Sequence, residues 1–254
     1  MLKDLINKWF IEYATSFLKN DDTSPYALKY QHTFNVAKNC YQIAQLSGFS
    51  TYDTELAEVI GLLHDCGRFR QYDQYGTFND RQSEDHAELS ARIIKEKLLL
   101  KSLPIDEQEM ILKAVTHHNK KELPVEAFNS RTLTFAKLIR DADKIDIYRV
   151  MASQLKNPEI NHSTLFLNQS EEIAYSAPIL DSIRKKKIAN LEDMQTEVDF
   201  RMIQLSWVFD INFSVSYDII KKQGHLKYLM DNIPERSTVQ KELEIIKKQI
   251  DYET

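Results

Sequence analysis

Apolar residues recur at intervals close to 3.6 along almost the whole chain, and alternating β-branched runs are scarce, so the pattern predicts an all-α protein. Helices are expected near residues 2–19, 26–47, 53–65, 84–100, 106–119, 131–154, 170–184, 190–223, 225–232 and 237–251. The last has its own start signal: Ser237 with Gln240 reads as a capping box, and Val239, Leu243, Ile246 and Ile250 follow on one face. The polar stretch 155–170, "LKNPEINHSTLFLNQS", interrupts the pattern and carries Pro158. It suggests a helical domain over 1–154 and a C-terminal helical extension over 155–254, packed on the first. No internal repeat or low-complexity segment is visible.

Composition narrows the classes of function. The net charge of −5 argues against a large nucleic-acid footprint, which needs a basic face. The "RKKK" at 184–187 is expected to be the solvated face of a helix. The N-terminal "MLKDLINKWFIEYA" is interrupted by charge and lacks a cleavage site, so it does not read as a signal peptide, and no run reaches a membrane span of about 18 apolar residues. Two cysteines, Cys40 and Cys66, are expected to be buried thiols, which fits a soluble cytoplasmic protein. The five glycines match neither a Walker loop nor a dinucleotide fingerprint, so side chains, a metal or helix ends must hold any phosphate.

Candidate chemistry lies in the histidines, five of which fall between residues 32 and 118. With the acids they run His32, His64-Asp65, His86, His117-His118, Asp143. Each has an ordinary use by itself: a half-buried helical histidine, a residue of a first turn, a helix-closing imidazole or a surface ion pair. Together they are harder to dismiss. His64 follows Ile60, Leu62 and Leu63 on a core-facing helix, and His118 continues the apolar face of Ile111 and Ala114. Asp141, Asp143 and Asp146 interrupt an otherwise apolar pattern, where a carboxylate is costly unless paired or metal-bound. Several helices thus aim polar groups inward, which suggests a bound cation.

The order H…HD…H…HH…D resembles the HD-domain superfamily of metal-dependent phosphohydrolases over about residues 26–150. The phrase "HDCGRFRQYDQYGTFNDRQSEDHAELSA" resembles a bacterial group of HD hydrolases of undefined substrate, and "TEVDFRMIQLSWVFDINF" resembles that group's helical extension. The resemblance implies an HD-domain helical bundle in which His32, His64, Asp65 and Asp143 are metal ligands. Asp143 is preferred because "ADK" matches the family's phrase, and Asp141 is the rival. In binuclear members, histidines at the places of His86, His117 and His118 hold a second ion, with the aspartate of the HD pair bridging. The glycine-proline signature of the cyclic-dinucleotide phosphodiesterases is lacking.

Imidazole and carboxylate together suit Mn, Fe, Co, Ni or Zn, one or two per chain, better than magnesium or calcium. The expected reaction is cleavage of a phosphoester or phosphoanhydride of a small metabolite such as a nucleotide, by attack of metal-activated water. Asp65 would orient the water, His86 would bind a second ion or the phosphate, and Arg68 and Lys144 are candidate phosphate contacts. Arg70, Arg81 and Lys120 are weaker ones. Phe69, Tyr72, Tyr75 and Phe78 read as packing residues more than as walls for a base, and Trp9 and Trp207 as core. His162 and His225 are expected to be ordinary loop or surface residues. Two other readings keep the same side chains: a di-iron HD-type oxygenase, and a non-catalytic metal-stabilised module that binds a ligand.

Overall fold

The computed structural model describes residues 2–18, 25–157 and 173–252. Among these residues the regular structure is entirely helical, and the chain forms two compact units, Met1–Asp146 and Ile147–Thr254. The division falls inside a long helix, whereas residues 158–172, with His162 and most of the polar stretch, lie outside the described residues.

The first unit holds α1 (Leu2–Thr15), α2 (Pro25–Leu46), α3 (Thr51–Leu63), α4 (Gly67–Tyr75), α5 (His86–Glu96), α6 (Ile105–His117) and the first part of α7 (Ser130–Lys156). Ile6, Phe10, Val36, Ile60, Ile111 and Leu138 are fully buried, one apolar face from each of five helices. Local signals set the helix ends. Ser50 caps α3 by accepting from the Asp53 amide at 3.0 Å, and Asp85 caps α5 by accepting from the Ala87 and Glu88 amides. Helix α4, which was not among the expected elements, starts directly after the turn that carries His64 and Asp65 and stops at Gly76, in the left-handed region at φ 65°.

Two glycines permit close approaches between helices. A Cβ on Gly61 would stand 2.5 Å from the Ala37 Cα, so glycine lets α3 press against α2. A Cβ on Gly67 would stand 2.5 Å from the His86 carbonyl oxygen, so glycine lets the start of α4 meet the start of α5.

The second unit holds the rest of α7 with α8 (Ala177–Arg184), α9 (Glu197–Ser206), α10 (Ser214–Gln223), α11 (His225–Asp231) and α12 (Gln240–Tyr252). It corrects two expectations. The single helix over 190–223 is broken: Thr196 takes extended geometry and forms a capping box with Asp199, and extended backbone at Ile211 separates α9 from α10. The box predicted at Ser237 does not form, because Ser237 lies in a 3-10 turn and Gln240 donates forward to Glu244 at 2.9 Å. Trp9 and Trp207 are half-buried and not core, whereas both cysteines are buried and free. Residues 184–187 are exposed, with Arg184 reaching Glu242 at 2.6 Å. No helix among the described residues is long and apolar enough to cross a membrane.

Candidate metal centre

Four buried imidazoles converge on Asp65. His32 comes from α2, His64 follows the last residue of α3, His86 opens α5 and His118 follows α6. Asp65, only 2% exposed, occupies the middle. Its Oδ2 lies 3.6 Å from the His32 Nε2 and 3.8 Å from the His64 Nε2. Its Oδ1 lies 3.4 Å from the His86 Nε2 and 3.7 Å from the His118 Nε2. Asp143 joins the first pair, its Oδ1 being 3.1 Å from His32 and 3.8 Å from His64. The carboxylate of Asp65 therefore presents one oxygen to each of two donor groups.

The outer nitrogen of each ring is engaged in a way that fixes the inner one. His32 Nδ1 donates to Asp146 at 2.7 Å, His64 Nδ1 to the Gly61 carbonyl at 2.7 Å, His86 Nδ1 to Asp80 at 2.6 Å and His118 Nδ1 to the Val115 carbonyl at 2.6 Å. With hydrogen on Nδ1, such a ring in its neutral form turns an Nε2 lone pair inward, as a metal-ligating histidine does. The Nε2 atoms of His86 and His118 face each other 3.1 Å apart, and two lone pairs at that distance repel unless a proton or cation lies between them.

This donor set fits a divalent transition metal. His32 Nε2, His64 Nε2 and Asp65 Oδ1 are buried without a hydrogen-bond partner, a costly condition that a bound cation relieves. The donors are imidazole nitrogens and carboxylate oxygens, and their 3.1–3.8 Å spacings resemble those between ligands held at about 2.0–2.2 Å. His32, His64 and Asp143 form one such group, and His64, Asp65 and His118 another. Asp80, Asp85 and His86 also cluster, but these acids already accept hydrogen bonds from Arg68, Gln71, Lys120, Asn119 and the start of α5.

Burial and the Lys29 charge penalise ionised His32, but the Asp143 carboxylate beside its Nε2 and the bond to Asp146 outweigh them and raise its pKa to about 9. Burial lowers His64 to about 3 and His86 to about 4, so both rings are neutral near pH 7. Burial opposes ionisation of Asp65 and Asp143 as well. It is overcome at Asp65 by Lys29 and the histidines and at Asp143 by His32, so both carboxylates stay well below their usual range.

Not every side chain singled out in the sequence reaches the centre. His117 is half-buried, with its Nδ1 2.9 Å from the Lys113 carbonyl oxygen and its ring against Phe128. Arg68 Nη1 is held by Asp80, Gln71 and the Phe78 carbonyl, although its Nε lies 3.7 Å from Asp65 Oδ1. Lys144 is buried, with its Nζ 3.5 Å from the Arg140 carbonyl oxygen. Arg70 pairs with Glu96 and Lys120 with Asp85. Asp143 supplies the carboxylate beside His32 and His64, while Asp146, one turn on, supports His32 from behind. Phe69 and Phe78 are buried, and Tyr75 is exposed.

Sequence reasoning passed over Lys29, Asp80 and Asn119. Lys29 had a signal, since it lies one helical turn before His32 on α2. Asp80 had none, because it acts from a loop where no periodicity marks it.

No curated protein and no solved structure compared with the chain matches it significantly. Residues 30–148 match the family model described as HD domain, a span that takes in every residue of the converging cluster except Lys29. With the helical fold and the ordered His and Asp donors in place, residues 30–148 of the chain are an HD domain.

Proposed function

We propose that the protein is a metal-dependent phosphohydrolase that cleaves a phosphoester or phosphoanhydride of a small metabolite, with a nucleotide as the first class to test. The observation that carries this reading is the Asp65 carboxylate shared between two histidine groups. A divalent cation at such a site lowers the pKa of water and polarises a phosphoryl oxygen. The chain's own residues supply the rest. His32, His64, Asp65 and Asp143 would hold one cation, and Asp65, His86 and His118 a second. The ionised Asp65 and Asp143 also accept a hydrogen bond from an attacking water and orient it. Phosphoryl transfer asks mainly for such positioning and charge stabilisation, so no nucleophilic side chain is required.

The direct test combines metal analysis with a panel of nucleotides, sugar phosphates and pyrophosphates, comparing wild type with Asp65→Ala. Hydrolysis of at least one member is expected, with a loss of about 100-fold or more in the variant. Equal turnover by both proteins would sink the reading.

The intact second histidine group favours one alternative, a di-iron oxygenase built from the same ligands. Iron at two per chain with substrate-dependent oxygen uptake would select it over hydrolysis.

A further inference from the structure

Lys29 is the basic residue most directly engaged with the centre. Its Nζ lies 2.7 Å from Asp65 Oδ2, the oxygen that faces His32 and His64. Asp65 Oδ2 is its one hydrogen-bond partner among the described residues. The Lys29 side chain is 15% exposed against 3% for Asp65, so the pair is largely buried. The Lys29 Nζ also lies 5.6 Å from the centre of the Phe78 ring, and the Arg68 guanidinium carbon lies 5.8 Å from the same centre.

The other cations near the centre are committed. Arg68 spends Nη1 on three acceptors, Arg70 pairs with Glu96, Lys120 with Asp85, and Lys144 is buried beside the Arg140 carbonyl. Lys29 differs because its partner is the oxygen that a cation between His32 and His64 would also take. An ammonium and a divalent cation compete for that oxygen. Once the cation is bound it takes up most of the Asp65 charge, and a largely buried ammonium is left under-compensated, which is costly until another anion arrives.

We propose that Lys29 is the phosphate-binding cation of this centre: it neutralises Asp65 in the metal-free protein and is released to a phosphate dianion when metal loads. The inference rests on the phosphohydrolase reading and adds to it the group that receives the substrate. It also makes metal loading a precondition for tight phosphate binding. A phosphate oxygen would then replace Asp65 in a charge-assisted hydrogen bond.

The test is calorimetric titration of metal-stripped protein with Mn²⁺, followed by inorganic phosphate on the loaded protein, for wild type, Lys29→Met and Lys29→Arg. Lys29→Met keeps most of the stem and is expected to bind Mn²⁺ at least as tightly as wild type, while losing about tenfold or more in phosphate affinity. Lys29→Arg should restore phosphate binding. A purely structural ion pair predicts the opposite for the metal: Lys29→Met would bind Mn²⁺ at least about tenfold more weakly, and that result overturns the proposal. Unchanged phosphate affinity in Lys29→Met overturns it too, and leaves the phosphohydrolase reading intact. Failure of loaded wild type to bind phosphate at all removes both.

If Lys29→Met does not fold, the wild type provides the second measurement. With lysines reductively ¹³C-dimethylated, which preserves their charge, the Lys29 resonance should shift when phosphate is added to Zn²⁺-loaded protein. A resonance that moves with metal but not with phosphate would overturn the assignment.

Discussion

The two halves of the centre share Asp65 and are otherwise built differently. His32, His64 and Asp143 bring an additional carboxylate, and two of the three come from within long helices, α2 and α7. His86 and His118 bring no carboxylate of their own and stand at the start of α5 and just past the end of α6. Their rings are aimed by a loop residue, Asp80, and by a backbone carbonyl. A cation in the first half would meet more opposite charge, on ligands carried largely within helices. The second half has facing lone pairs and a frame held by side-chain bonds, so it should fill later and empty first. One carboxylate can therefore serve two sites of unequal strength.

The largest effect should come from Asp65→Ala, which removes the shared ligand. Metal analysis is expected to show both halves losing tight binding, and retention of a full complement would refute the shared role. Next comes His86→Ala. It should cost one ion where wild type holds two and spare the ion bound by His32, His64 and Asp143; loss of both would show the halves to be interdependent.

Asp80→Ala leaves every ligand present and removes the acceptor that aims His86. A weakening of about 10- to 100-fold confined to the weaker site is expected by metal titration. Asp146→Ala should produce the corresponding loss at the stronger one.

Acidity should separate the halves as well. The folded-state pKa of His32 is raised, so its proton stabilises the metal-free fold below about 6.5 and this contribution is lost as pH rises through about 9. Metal must displace that proton, so affinity at the first half should rise by about tenfold per pH unit between roughly 6.5 and 9, with about one proton released. Calorimetry in buffers of different ionisation enthalpy reads the proton directly. His86, already neutral above about 4, should add little pH dependence at the second half in that window. His117→Ala should have the smallest effect, within about twofold in metal affinity, because its ring packs away from Asp65.

Much of the site was legible because ligands on helices leave a trace. His64 and His118 interrupt apolar faces, and Asp143 sits in an apolar helical run, so each registers as a polar group pointed inward. His117 and His118 show the limit of that reasoning. Adjacent positions on a helix point about 100° apart, so only one of the pair could face the centre. Arg68 illustrates another limit: its position beside the HD pair was visible, but its capture by Asp80 depends on a loop that returns from 12 residues downstream. Helix α4 was hidden for a similar reason, since it is short and polar and the packing at Gly67 supports it more than any periodicity does.

The sequence by itself determined that the chain is helical, that its inward faces carry imidazole and carboxylate, and in what order they come. Local periodicity and residue chemistry suffice for that. Only the tertiary structure decided that Asp65 divides its two oxygens between two groups, that Asp80 and Asp146 orient the rings, and that Lys29 pairs with Asp65. Those relations join residues up to 114 positions apart, and they depend on helix approach and side-chain direction, which one-dimensional spacing does not encode.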